Sequence, residues 1–431
     1  MKFSLQALLA VLALSILAHP VLSQQVVLSQ SNASGIYKAG ESIKVSVQVR
    51  GAEADSIQIK MNRNYSNSAS WQTIPTPVGK KVLFEGSFSK PASGVFHVRI
   101  GDEISTSGFI VEPDQIKPVT QRPKDFDAYW KAQKKALRDL PMEIESEWID
   151  HIEAGFVCSD VELNCIGPKP ARGYFAKPAN ADPATLPIVL YVHAAGVNGD
   201  WCLSKASTAI QYAKKGKGAL AFDLNAHGML NGQAQEYYDD LQEGELKNYW
   251  EIGAENLEKN YFRGMYLRLQ RTLDFLCAQP EWDGKRIIII GESQGGGQAL
   301  AAAGMDDRVT AVVATVPAMC DFGRTLIGET GGWPNPYSFE KDREKMLDTY
   351  PYFDVAHLLK GCKATLVTEI GLIDYTCPAF GIYAAINQAK GKKLTLVTPY
   401  RSHHLDQKEF QKQWEEKIYK PKMEFINAFL R

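Results

Sequence analysis

The sequence predicts two folded units: a small all-β sandwich, then an α/β unit built on a mostly parallel, doubly wound sheet. Three observations lead there. Apolar residues alternate with period two as far as Val111, prolines at 113, 118 and 123 interrupt the chain, and beyond them uninterrupted apolar runs alternate with helical stretches. The length of 431 residues accommodates both units at ~150 residues per domain. The 48 Lys and Arg nearly cancel the 49 Asp and Glu. No global positive field exists to gather nucleic acid or an anionic membrane surface, so a neutral partner is expected.

The first residues precede both units. Lys2, the uncharged run at 8–17 and Val21-Leu22-Ser23 have the order of a secretory leader, so residues 1–23 read as a signal peptide and the mature chain as starting near Gln24. The run is too short to span a membrane, and no cysteine at the cleavage site offers a lipid attachment point. The chain is therefore expected to be secreted or periplasmic, with no membrane anchor.

Residues 24–112 form the sandwich. Ile43, Val45, Val47 and Val49 alternate with Lys44, Ser46, Gln48 and Arg50, and the pattern returns at Ile57, Ile59, Met61 and at Phe96, Val98, Ile100. Ala39-Gly40, Val78-Gly79 and Ser93-Gly94 read as turns, and no helical window intervenes, which fits an immunoglobulin-like sandwich. Residues 113–123 are a stiff, Pro-rich, non-helical linker. Residues 124–431 are the α/β unit. Phe126, Tyr129, Trp130, Gln133, Leu137 and Leu140 make a helical stripe ended by Pro141. A strand-rich stretch around 172–177 follows, then apolar runs at 187–192, 219–222, 286–290, 311–316, 364–367 and 394–397. Seven cysteines are few for this length, so the core must hold the fold together. Cys158 and Cys165 flank a short polar segment and read equally as a disulfide or as two buried thiols.

The segment Ile287-Ile288-Ile289-Ile290-Gly291-Glu292-Ser293-Gln294-Gly295-Gly296-Gly297 carries the most information: a buried strand enters Gly-x-Ser-x-Gly and leaves into a helix of small residues. A serine on so sharp a turn needs neighbours without Cβ atoms, because strand and helix close around it. Its hydroxyl becomes a nucleophile only beside a base, and in this architecture an acid and then a histidine follow it in the chain. Asp374, just past the 364–367 run, is the first choice of acid, with Glu369 the alternative. Of the three histidines after Ser293, His357 sits in an apolar helical stretch and reads as structural, leaving His403 or His404 as base. Backbone amides of Gln294 and of Ala195, ahead of Ala194, are the expected oxyanion donors. His193 and His227 read as structural. No Cys/His spacing resembles a zinc site, and no metal or cofactor is called for.

Taken together these residues resemble the acetylxylan esterase and cephalosporin-C deacetylase family of α/β-hydrolases. The likeness rests on Pro123-Lys124-Asp125-Phe126-Asp127-Ala128-Tyr129-Trp130, on Tyr261-Phe262-Arg263-Gly264-Met265-Tyr266-Leu267, on the elbow preceded by Asp283, and on Gly371-Leu372-Ile373-Asp374 through Cys377-Pro378. It implies an α/β-hydrolase fold with an additional N-terminal sandwich, with Ser293, Asp374 and a histidine of the 403–404 pair catalytic, Gln294 and Ala195 as oxyanion amides, and no cofactor. It also implies removal of acetyl groups from acetylated sugars or xylan through an acyl-enzyme. Two departures stand out. Ser402-His403-His404 replaces the family's Gly-His-Glu, and aligning Ser402 with the glycine favours His403 as base, with His404 the alternative. Asp223-Leu224-Asn225-Ala226-His227-Gly228 replaces its Arg-Gly-Gln-Gly run. Tyr237, Tyr238, Trp333 and Tyr337 are candidates to border the sugar, or ordinary loop packing. Another serine hydrolase, a peptidase or an esterase for larger acyl groups, and a non-catalytic glycan-binding protein are the rival readings. The substrate partner would be an acetylated oligo- or polysaccharide; the oligomeric state, homo-oligomer included, stays open.

Overall fold

A computed structural model describes residues 25–51, 54–66, 68–150, 152–405 and 410–431. The expected leader lies outside the described residues.

The N-terminal unit contains β1 (Gln25–Gln30), β2 (Ile36–Tyr37), β3 (Ile43–Arg50), β4 (Ser56–Arg63), β5 (Gln72–Pro75), β6 (Lys80–Gly86), β7 (Ala92–Ile100) and β8 (Glu103–Val111). They form a three-stranded sheet, β1-β3-β6, and a five-stranded sheet, β2-β8-β7-β4-β5. Ile43, Val45 and Val47 of β3 and Val98 of β7 are fully enclosed between the sheets, as period-two burial requires. Ser93-Gly94 differs from its reading as a turn: it lies inside β7. Gly94 is there because a Cβ would come within 2.3 Å of the Phe109 ring, so the glycine marks close packing within a strand and not a chain reversal. The linker also holds a short 3-10 turn at Pro113–Gln115. It lies against the second unit, with Asn387 donating to the Pro113 and Ile116 carbonyls at 2.9 and 3.0 Å.

The second unit runs α1 (Phe126–Asp139), β9 (Ile144–Trp148), β10 (Phe156–Leu163), β11 (Ala171–Pro178), β12 (Leu186–Val192), α2 (Ala206–Ala213), β13 (Leu220–Asn225), α3 (Gln235–Glu243), α4 (Tyr261–Cys277), β14 (Trp282–Glu292), α5 (Gln294–Met305), β15 (Ala311–Thr315), α6 (Arg343–Thr349), α7 (Val355–Leu358), β16 (Thr365–Gly371), α8 (Ala379–Ile386), β17 (Lys393–Thr398), α9 (Gln411–Trp414) and α10 (Lys420–Phe429). Its nine-stranded sheet has the order β17-β16-β15-β14-β12-β13-β11-β10-β9. The strands from β12 onward pair in parallel, while β9, β10 and β11 add an antiparallel edge. The continuous apolar runs follow from burial on both faces: Ile287 and Ile289 of β14 pack on one side of the sheet, Ile288 and Ile290 on the other. The chain steps from β12 to β13 on one side and returns to β14 on the other, which opens a crevice at the carboxyl ends of β12 and β14.

All seven cysteines are free thiols. Cys158 lies in β10, five residues before the strand ends at Leu163, and Cys165 follows that end. Cys158 packs on one face of the sheet and Cys165 against the core of the other. About 17 Å of extended strand separates Cys158 from Leu163 alone, against the ~7 Å that a disulfide can bridge between Cα atoms. The bridge is thereby ruled out. Denatured protein titrated with a thiol reagent, without reductant, should expose all seven thiols; a count two short would contradict this packing.

Candidate active site

β14 ends at Glu292 and α5 begins at Gln294, so Ser293 alone makes the turn, with φ 54° and ψ −119°. This is a conformation that L-residues avoid unless their surroundings impose it. Here they do. The Ser293 amide donates to Thr315 O at 2.9 Å, and its carbonyl accepts from Gly297 N at 3.0 Å and Ala318 N at 2.9 Å. A Cβ on Gly291 would lie 2.4 Å from the Gly295 carbonyl carbon, and one on Gly295 would lie 2.3 Å from Val192 O. The two glycines let β14, α5 and the end of β12 touch backbone to backbone.

His403 Nε2 lies 2.9 Å from Ser293 Oγ, and His403 Nδ1 lies 2.9 Å from Asp374 Oδ2. Asp374 is fully buried; its other oxygen accepts from the amides of Thr376 and Cys377, both at 2.8 Å. An ionised carboxylate only accepts, so His403 donates through Nδ1–H and leaves Nε2 to receive the serine proton. The loop after β17 presents His403 to Ser293, whereas His404 is exposed at the pocket wall. Glu369 is occupied elsewhere: it accepts from Arg401 at 2.5 Å, Trp414 Nε1 at 2.6 Å and Lys422 at 2.7 Å. Burial pushes its carboxyl up, but the Lys422 and Arg401 cations overcome that and hold it below the usual range. Cys377 lies beside the triad; burial, then the Asp374 charge, push its thiol well up, so it stays protonated and does not compete for the proton.

Ala194 and Ala195 line a cavity of about 660 Å³ together with Ser293, His403, Trp201 and Trp333. Gln294 opens α5, and a helix's first amides have no intrahelical partner. The Gln294 amide thus sits next to the serine in the chain, and the Ala194-Ala195 segment borders the same cavity. The loop carrying the alanines is braced from below. Trp201 Nε1 donates to Ala195 O at 2.9 Å, His193 contacts Asp223, and His227 Nε2 donates to Gly196 O at 2.8 Å. Burial pushes His227 down to about 3, so the ring is neutral and its Nδ1 accepts from the Tyr261 hydroxyl at 2.5 Å. Tyr249 donates to Gln294 Oε1 at 2.5 Å. Trp201, Arg401 and Tyr249 carried no local motif, because their role depends on contacts made far along the chain.

Of the four aromatics named for the sugar side, only Trp333 lines this cavity. Tyr237 and Tyr238 bond the backbone of Leu230, and Tyr337 is buried against Tyr350. Tyr237 and Tyr238 lie on α3, and Tyr238 and Tyr337 pack into the core.

The profile of the acetyl xylan esterase (AXE1) family matches residues 112–422. The chain belongs to this family. Acetyl esterase Axe7A of Xylanibacter ruminicola is 27% identical over 399 residues, covering 86% of this chain and 85% of that one. Among solved structures, an acetyl xylan esterase from Paenibacillus sp. R4 is 25% identical with a TM-score of 0.59, covering 74% of this chain and 99% of its own. Acetyl xylan esterase 1 from Thermoanaerobacterium sp. JW/SL YS485 shares the fold at 21% identity and the same TM-score of 0.59, over 74% of this chain and 98% of its own. The acetyl xylan esterase structures are α/β hydrolases, and the family's members are carboxylic ester hydrolases.

The tight elbow makes one direct prediction. Gly295→Ala places a methyl against the Val192 and His193 carbonyls, at 2.3 and 2.8 Å, and should destabilise the protein by ~1–3 kcal/mol in urea unfolding. An unchanged unfolding midpoint would contradict backbone contact at this point.

Proposed function

We propose that the chain is an exported serine carbohydrate esterase that removes acetyl groups from acetylated sugars, xylan foremost, through an acyl-enzyme. The observation that carries this reading is the Ser293–His403–Asp374 hydrogen-bonded row, at 2.9 Å for each link, in a chain of the acetyl xylan esterase family. In the reaction, His403 Nε2 takes the Ser293 proton as Oγ attacks the acetyl carbonyl carbon. The charge that develops on the carbonyl oxygen is met by the Gln294 and Ala195 amides, while Asp374 compensates the imidazolium. As the tetrahedral adduct collapses, the sugar oxygen leaves with the proton from His403. Water then gives a proton to His403 as its oxygen adds to the acetyl-serine; when this second adduct collapses, His403 returns the proton to Ser293 Oγ and acetic acid departs, ionising to acetate in solution.

The pocket supports a small acyl group on a bulky neutral alcohol. Ala194 and Ala195 contribute only methyl groups beside Ser293, while Trp201 and Trp333 supply aromatic walls of the kind that pack on the apolar face of a pyranose. The name of Axe7A, an acetyl esterase, supports the same acyl preference, and the leader read at residues 1–23 supports export.

Turnover of an aryl acetate should fall by ~10³-fold or more in Ser293→Ala and in His403→Ala, while His404→Ala stays within about threefold of the parent. Hydrolysis by Ser293→Ala at the parental rate would remove Ser293 from the chemistry. Across acetyl, butyryl and longer esters the acetyl ester should turn over fastest, and a preference for long chains would overturn the acetyl assignment.

A further inference from the structure

The sandwich is not tethered at a distance from the active site. Val95 and Ile110 of β7 and β8, with Tyr65 from the turn after β4, are buried in the same apolar core as the α/β unit. The sandwich also meets the two loops that carry Asp374 and His403. The Gly108 amide donates to Pro399 O at 2.8 Å, at the start of the His403 loop. A Cβ on Gly108 would lie 2.3 Å from Leu372 O, and one on Gly35 would lie 2.9 Å from the Leu372 side chain. Two glycines thus bring sandwich backbone directly onto the acid loop.

Two side chains then hold that loop on both sides of Asp374. The Tyr65 hydroxyl donates to Leu372 O at 3.1 Å, and Asn62 Nδ2 donates to the Tyr375 hydroxyl at 2.7 Å. Tyr65 and Asn62 are each about 1% exposed, and the Tyr65 ring meets Tyr375 edge-on at 5.6 Å. Burial, then the nearby Asp374 charge, push the Tyr65 phenol well above its usual range, so it remains a donor. From within the α/β unit, the same loop is tied to the His403 loop by Leu372 N to Thr398 O at 3.0 Å and Ile373 N to Arg401 O at 3.3 Å. The residues flanking Asp374 are therefore clamped between the sandwich and the base loop.

We propose that the N-terminal sandwich sets the geometry of the triad, with Tyr65 and Asn62 acting as positioning residues for Asp374 through Leu372 and Tyr375. Neither touches substrate. The sandwich is part of the catalytic machinery's support. The inference rests on the triad reading of the site.

The test uses the full-length chain and a soluble aryl acetate. Tyr65→Phe keeps the ring and removes the hydroxyl's bonds to Leu372 O and to the Ala379 backbone; Asn62→Ala and Tyr375→Phe remove one bond from its two ends. Each should lower kcat by roughly tenfold, since displacements below an ångström at a catalytic group are costly, while KM stays within about twofold. Combining Asn62→Ala with Tyr375→Phe should cost no more kcat than either change alone, because both delete the same contact. Parental kcat in folded Tyr65→Phe and Tyr375→Phe, whether or not the melting temperature drops, would reduce the sandwich to a stabilising attachment and overturn the proposal. So would fully additive losses in the double variant. Tyr375→Phe leaves the sandwich untouched, so it decides the matter even where an Asn62 variant folds poorly. Ser293→Ala separates the two readings: active Ser293→Ala overturns the triad itself, whereas inactive Ser293→Ala with unaffected Tyr65→Phe and Tyr375→Phe overturns only the positioning role.

Discussion

The site depends on one backbone constraint: Ser293 is held at φ 54°, ψ −119° between a central strand and the helix that follows. Such a conformation costs ~1–3 kcal/mol and persists only where surroundings over-determine it. Three hydrogen bonds to the Ser293 backbone and two glycines that permit backbone contact do so here. The result is a hydroxyl fixed at the carboxyl edge of the sheet, beside the first free amides of α5. The other parts of the site are arranged around that point: the alanine loop follows β12, Asp374 follows β16 and His403 follows β17. Because these strands are neighbours in one parallel sheet, residues more than a hundred positions apart meet within hydrogen-bond distance.

A buried ionic cluster supports the same edge. Glu369, without solvent exposure, accepts from Arg401, Lys422 and Trp414, and Arg401 reaches on to Glu292 at 3.1 Å. A buried carboxylate would be costly alone, and its value lies in the partners it demands. Here those partners come from the base loop, α9 and α10, so the cluster ties the C-terminal segment and the His403 loop to β16. The carboxylate that sequence order offered as an alternative acid is thus a structural anchor for the loop bearing His403.

Much of this was legible in the sequence, for identifiable physical reasons. A strand buried on both faces must be apolar without interruption, so β12 to β17 stood out, and the elbow at Ser293 was marked by glycines that close packing requires. Chain order narrowed the acid to Asp374 or Glu369 and the base to His403 or His404. Which member of each pair faces the serine depends on loop direction and distant partners, such as the Arg401–Glu369 bond, and local composition does not encode these. The same limit explains the misreading of Ser93-Gly94, which has the composition of a turn but sits where Phe109 needs room. It also explains why the sequence left Cys158 and Cys165 open between a disulfide and two thiols: they are close in sequence but on opposite faces of a sheet. Tyr237 and Tyr238 sit on α3 and Tyr337 in the core, whereas the pocket-lining Trp201 lay in no recognisable motif. The contact between Tyr65 and Leu372 spans 307 positions, beyond any local pattern.

The central claim is that Ser293 carries the acetyl group during turnover. The most direct measurement is mass spectrometry of enzyme acid-quenched during hydrolysis of an aryl acetate, followed by peptide mapping. The account predicts one added acetyl group, located on the peptide containing Ser293 and absent from Ser293→Ala. An acetyl group retained on another residue during productive turnover, or full turnover by Ser293→Ala with no adduct, would contradict it.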